Sequence, residues 1–174
     1  MNTPPTPRLK VIGVGNEWRG DDAVGLLVAR RLKAGQLPQV AIAECRGTVT
    51  AVREAWKDAA GVIVVDAVVS GGRPGAIYRF DAHSGGAPVQ LSRSPSSHGW
   101  GVAEALALGQ LFQELPPYLI IYGIEGQNFG PGQEVSQEVE AAIPEAAGCI
   151  RREIQAWLGR EPPVGHPPKI GEQA

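Results

Sequence analysis

The 174-residue chain is poor in the features that mark several common protein classes. Its two cysteines, Cys45 and Cys149, lie far apart without Cys-x-x-Cys spacing, so they predict neither a zinc motif nor a disulfide framework. No apolar run reaches the length of a membrane-spanning helix, and residues 1–10 lack the apolar segment of a secretion signal. The formal net charge of −2 argues against nucleic acid as a partner. We therefore expect a monomeric, cytoplasmic protein that binds neither nucleic acid nor membranes.

The familiar catalytic motifs of hydrolases are missing as well. The sequence has no His-Glu-x-x-His motif and no Gly-x-Ser-x-Gly nucleophile elbow. It offers no convincing Cys/His pair, and we interpret both thiols as buried or inert. Neither a resident zinc-protease site nor an activated serine is therefore expected.

What the chain does have is a regular alternation of apolar strand-like runs and helical patterns. The run Gly61–Val69 is almost continuously apolar, which is typical of a central parallel strand, whereas Ala76–Phe80 is short and alternating and is expected at an edge or antiparallel. We predict a three-layer α/β/α sandwich around a mostly parallel, twisted sheet of about five strands. The expected strands are Leu9–Val14, Val40–Glu44, Gly61–Val69, Ala76–Phe80 and Tyr118–Ile124, and the expected helices are Asp22–Leu32, Thr50–Lys57, Gly101–Gln113 and Glu134–Leu158.

The length suits a single domain with a normal hydrophobic core. We expect residues 1–158 to form that α/β domain. Residues 159–174 are rich in proline and glycine and are expected not to fold.

The most informative segment is Val11–Gly25, where a strand end and two glycines are followed by the adjacent acids Asp21 and Asp22. A dinucleotide-binding turn has the pattern Gly-x-Gly-x-x-Gly, and the first two glycines are present, but Trp18 stands in place of the third. Two carboxylates at the start of the next helix would also repel a phosphate. The segment therefore favours a cation, or a partner that carries one, over a nucleotide.

Three candidate metal-binding side chains are expected at one edge of the sheet. Asp22 follows the first strand, Asp66 follows four apolar strand residues, and His98 precedes the helix expected from Gly101. Ligands of open α/β sheets bind at the carboxyl ends of the strands, and two carboxylates with one imidazole suit a divalent ion such as nickel, zinc or cobalt. Each residue also has a structural explanation, because acids stabilise helix starts, aspartates cap turns and loop histidines are common.

Together, Gly13–Asn16, Gly20–Gly25, Val65–Ala67 and Ser97–His98 resemble segments of the nickel-dependent maturation endopeptidases of NiFe hydrogenases. The resemblance implies an enzyme that removes a C-terminal extension from the precursor of the hydrogenase large subunit once nickel has been inserted. It maps the metal ligands, which would also be the catalytic residues, onto Asp22, Asp66 and His98. The precursor would supply the nickel, which would serve for recognition and as a Lewis acid.

Some questions stay open at this point. The segment Glu44–Gly47 departs from the Asp-Gly-Gly of many relatives, which leaves the client hydrogenase unidentified. A second interpretation is a non-catalytic nickel-binding or nickel-sensing accessory protein, which would have to bind nickel tightly with only three ligands. The sequence does not fix the roles of Asp21, Cys45 and Glu125.

Two tryptophans and an arginine flank the expected site, namely Trp18, Arg19 and Trp100. Trp18 is interpreted either as core packing or as part of a groove that grips the client. The second interpretation rests on the enrichment of Trp and Arg at protein interfaces.

Overall fold

The computed structural model describes residues 9–84 and 101–160, which form a five-stranded sheet with helices on both faces. The strands are β1 (Leu9–Val14), β2 (Val40–Cys45), β3 (Gly61–Val68), β4 (Ile77–Asp81) and β5 (Tyr118–Glu125). The helices are α1 (Val24–Ala34), α2 (Val49–Trp56), α3 (Val102–Leu111) and α4 (Gln137–Leu158). The strand order is β2-β1-β3-β5-β4, and every pair is parallel except β4 with β5. The predicted α/β class and the antiparallel edge strand are confirmed.

The central strand β3 explains why the core has two separate halves. Ile63 and Val65 pack into the core under α1 and α4, whereas Val64 and Val68 pack into the core under α2 and α3. Every residue of β3 is buried, as expected for a strand that has neighbours on both sides and helices on both faces. Asp66 alternates with Val64 and Val68 and therefore points to the α2 and α3 face.

Helix α1 lies unusually close to the sheet. A Cβ atom on Gly25 would come within 2.2 Å of the Val14 carbonyl oxygen and 2.3 Å of the Val65 carbonyl oxygen. A Cβ atom on Gly13 would in turn lie 2.3 Å from the carbonyl oxygen of Gly25. These two glycines let the start of α1 rest directly on β1 and β3.

The helix predicted to begin at Asp22 begins differently. Gly20–Ala23 form a 3₁₀ turn and α1 follows only at Val24, so both Asp21 and Asp22 lie in that turn. In this tight turn the side chains of Asp21 and Asp22 have different neighbours, so the two acids can serve different roles.

The other predicted elements are present, with ends that differ by a few residues. Thr48 caps α2, since its hydroxyl accepts a hydrogen bond from the Ala51 N–H at 3.3 Å. Helix α4 continues through Pro144 as one element. None of the described helices is long and apolar enough to cross a bilayer. The expectation for the C-terminal tail falls on residues 161–174, outside the described part of the chain.

Candidate active site

Asp22 and Asp66 lie where the strand order changes direction. The chain passes from β1 outward to β2, then crosses back to β3 on the other side of β1. Asp22 lies in the turn after β1, and Asp66 lies near the carboxyl end of β3. Such a switch point is where open α/β sheets bind ligands, so the structure brings these two predicted residues to the predicted edge.

The two carboxyl groups are buried and interact electrostatically. Asp22 is 6% exposed and Asp66 is 9% exposed. Burial raises the pKa of Asp66 well above its ordinary value and repulsion from Asp22 raises it further, while a 2.9 Å hydrogen bond from the Ala67 N–H lowers it. Burial also raises the pKa of Asp22, opposed by the positive charge of Arg19. A pair of desolvated acids of this kind is stabilised in its charged form by an incoming cation.

The acid pair suits a divalent metal but does not make a complete site by itself. Among residues 9–84 and 101–160, no group of three His, Cys, Asp or Glu side chains is arranged to hold a metal ion. Two carboxylates are suitable donors for a divalent transition ion, with further ligands supplied from elsewhere. The third predicted ligand, His98, lies outside the described residues.

Asp21, whose role the sequence leaves open, holds a loop in place. Its side chain is fully buried and its Oδ2 accepts the backbone N–H groups of Gln127 (2.8 Å) and Asn128 (2.9 Å). Ser136 donates its N–H to Oδ1 at 2.6 Å and its hydroxyl to Oδ2 at 3.0 Å. With four donors satisfied, this carboxylate fastens the loop after β5 to the 3₁₀ turn rather than facing a ligand.

Glu125 does the same for the loop after β3. It is 2% exposed, and its Oε1 accepts the backbone N–H groups of Ser70 (2.8 Å), Gly71 (3.0 Å) and Gly72 (3.1 Å). The Ser70 hydroxyl donates to Oε2 at 2.6 Å. The sequence analysis missed both anchors, because the backbone groups that they bind are distant in the chain.

The Gly15 and Asn16 amides in the glycine turn after β1 are bonded to the backbone of the protein and do not point at a ligand. The Gly15 N–H donates to the Cys45 carbonyl oxygen at 3.2 Å, and the Asn16 N–H donates to the Asp22 carbonyl oxygen at 3.2 Å. In a dinucleotide-binding turn such amides point at the pyrophosphate. Their backbone partners here, together with the acid pair, argue against the nucleotide interpretation.

Cys45 lies beside the acids but is not an activated thiol. It ends β2 next to Val14 and is half-buried. Burial, followed by the nearby charge of Asp66, raises the pKa of the Cys45 thiol to about 11. At neutral pH the group is therefore the poorly nucleophilic thiol, which agrees with its interpretation as inert.

Trp18 is not a core residue, so that interpretation of it was wrong. Its side chain is 71% exposed, in the turn that leads to the acids. Arg19 lies beside it, and the Arg19 Nε donates to the Phe129 carbonyl oxygen at 3.3 Å. Trp100, the other flanking tryptophan, falls outside the described residues.

A match to a protein-family model shows to which family the chain with this acid pair belongs. The model for hydrogenase maturation proteases, HycI, matches residues 33–153, more than half of the 174-residue chain. The chain belongs to the hydrogenase maturation protease family. The members of this family are peptidases, which confirms both the resemblance noted in the sequence and the prediction of an enzyme. No curated protein matches the chain significantly.

Solved structures share the fold of this protease family member. The hydrogenase maturating endopeptidase HybD from E. coli matches with a TM-score of 0.73 at 23% identity, covering 86% of this chain and 93% of that one. The hydrogenase maturation protease HycI from Thermococcus kodakarensis KOD1 matches with a TM-score of 0.64 at 24% identity, covering 87% and 95%. The hydrogenase 2 maturation peptidase from Thaumarchaeota archaeon SCGC_AB-539-E09 has 27% identity and a TM-score of 0.61, covering 85% and 98%.

Proposed function

We propose that the protein is an endopeptidase that removes the C-terminal extension of a NiFe hydrogenase large-subunit precursor after nickel has been inserted. The observation that carries the proposal is the buried carboxyl pair, Asp22 and Asp66, at the switch point of a hydrogenase maturation protease. Nickel is then part of the substrate, brought by the precursor. We also propose that the enzyme acts in the cytoplasm and is a monomer. Its single domain would span residues 1–158.

In this proposal Asp22, Asp66 and His98 bind the nickel of the precursor and are the catalytic residues. A carboxyl must be ionised and an imidazole neutral to act as ligands. Burial raises the pKa of Asp66 and of Asp22, whereas an approaching dication lowers both pKa values, so metal binding releases any proton that these carboxyls hold. Asp22 and Asp66 would hold the bound nickel in position, and the metal would supply Lewis-acid chemistry for cleavage of the peptide bond.

The position of α3 supports His98 as the third ligand. Gly101 follows His98 by three residues and directly precedes α3. A Cβ atom on Gly101 would lie 3.5 Å from the carbonyl oxygen of Gly47, just beyond the end of β2. The start of α3 is therefore at the same edge of the sheet as the acid pair.

Substitution of the proposed ligands tests this assignment. We expect Asp22→Asn, Asp66→Asn and His98→Ala each to abolish cleavage of nickel-loaded precursor, measured by intact mass. Each asparagine replaces an anionic ligand with a weak neutral one, and the alanine removes the imidazole. Circular dichroism should show a retained fold. Asp58→Asn is the control, since Asp58 is exposed and its φ of 58° is one that asparagine also adopts. Cleavage at the wild-type rate by any of the three ligand variants would contradict the assignment.

A further inference from the structure

Trp18 is an exposed aromatic residue on a fixed backbone. Its N–H donates to Asn16 Oδ1 at 3.0 Å, and its carbonyl oxygen accepts the Gly132 N–H at 2.7 Å. The side chain is nevertheless 71% exposed. The surrounding turn therefore holds a large apolar side chain in solvent instead of folding it into the core.

The turn that carries Trp18 is fastened on its other side as well. The Gly20 N–H donates to the Gln133 carbonyl oxygen at 3.1 Å, and Arg19 Nε reaches Phe129 as described above. Binding through such a turn costs little conformational entropy, because the backbone is already ordered. Tryptophan adds a large contact area with only two rotatable side-chain bonds.

The charges around Trp18 have partners within the protein. Glu17 pairs with Arg30 at 3.2 Å, and the charge of Arg19 acts on Asp22. Within the part of the chain that the structure describes, these two charged side chains interact with other residues, whereas the indole is largely exposed. An apolar segment suits the indole better than a charged one.

Trp18 also lies close enough to the acids to be covered by the same partner. Asp22 is four positions after Trp18 in the chain, so their Cα atoms are at most about 14 Å apart. A standard protein interface covers about 800 Å² on each partner, a patch of about 16 Å radius. A partner whose contact patch of this size is centred on Asp22 therefore has Trp18 within its footprint.

We propose that Trp18 is the docking residue through which the enzyme binds an apolar segment of the precursor polypeptide next to the nickel. This inference rests on the proposed function and names how the substrate is held. Trp18 does not touch the reacting atoms, so it acts on binding rather than on the chemical step.

The test compares full-length wild type, Trp18→Ala, Trp18→Phe and Leu111→Ala on nickel-loaded precursor. Leu111 is the matched control, because it is 72% exposed and ends α3 at the opposite edge of the sheet. We measure the dissociation constant for the precursor, KM, kcat and Tm. Trp18→Ala should raise Kd and KM about tenfold or more with kcat and Tm nearly unchanged, Trp18→Phe should restore part of the affinity, and Leu111→Ala should behave as wild type.

Every other result contradicts the docking role of Trp18, the endopeptidase activity, or both. An unchanged Kd in Trp18→Ala contradicts the docking role, as does an equal loss in Leu111→Ala or a Tm loss large enough to show packing within the chain. Binding that depends on Trp18 without any cleavage by wild type would retain the docking residue and reject the endopeptidase. No binding of the precursor by wild type would reject both.

Discussion

At the scale of single residues, the charged forms of Asp22 and Asp66 destabilise the fold, because both carboxyl groups are buried. Asp66 is buried in the central strand and faces Asp22, and both effects oppose its ionisation. Natural active sites hold such groups because the ligand or transition state compensates for them. The sequence predicted that Asp22 and Asp66 lie at the carboxyl edge of the sheet, because both follow apolar runs of parallel strands.

Replacing Asp66 by asparagine should stabilise the metal-free protein at neutral pH. The folded-state pKa of Asp66 lies above the unfolded value, so its contribution to stability is fully present below the unfolded pKa and is lost as pH rises through the folded pKa. We expect Asp66→Asn to raise the free energy of unfolding at pH 8 and to change it little at about pH 4. Urea unfolding at both pH values measures this. A variant less stable than wild type at pH 8 would show that the charged carboxylate is stabilised within the fold.

At the scale of structural elements, two buried acids organise the loops around the site. Asp21 holds the loop after β5 and Glu125 holds the loop after β3, each through four hydrogen bonds. Their partners are mostly backbone amides; those of Asp21 lie more than a hundred residues away in sequence. No local pattern encodes such pairings, which is why the sequence predicted the strands and helices but not these anchors.

Removing either anchor should open one loop and leave the other closed. Asp21→Asn should speed amide hydrogen exchange at Gln127, Asn128 and Ser136, since hydrogen bonds to a charged group contribute about 1.5–3 kcal/mol each. Glu125→Gln should do so at Ser70, Gly71 and Gly72. Hydrogen exchange in both variants is measured by mass spectrometry, and each variant serves as the control for the other. Equal loosening of both loops in both variants would mean that the two acids support the fold globally instead of locally.

At the scale of the whole molecule, the two edges of the sheet differ. The carboxyl edge carries the acids, the anchored loops and Trp18, whereas a cavity of about 570 Å³ near the amino ends of β3 and β5 is lined by residues such as Trp56, Ala59 and Pro117. The parallel order of β1 and β3 was predictable because buried parallel strands are continuously apolar. The 3₁₀ turn that separates Asp21 from Asp22 was not, since its shape comes from contacts with the distant loop after β5.

The most direct measurement of the central claim is cleavage of nickel-loaded and nickel-free large-subunit precursor by the wild-type protein, read by intact mass. If Asp22, Asp66 and His98 engage nickel held by the client, only the loaded precursor loses a C-terminal peptide, and the Asp66→Asn protein leaves it intact. Equal cleavage of the nickel-free precursor would contradict recognition through the metal. No cleavage of either form of a cognate precursor would instead favour a nickel-binding accessory protein.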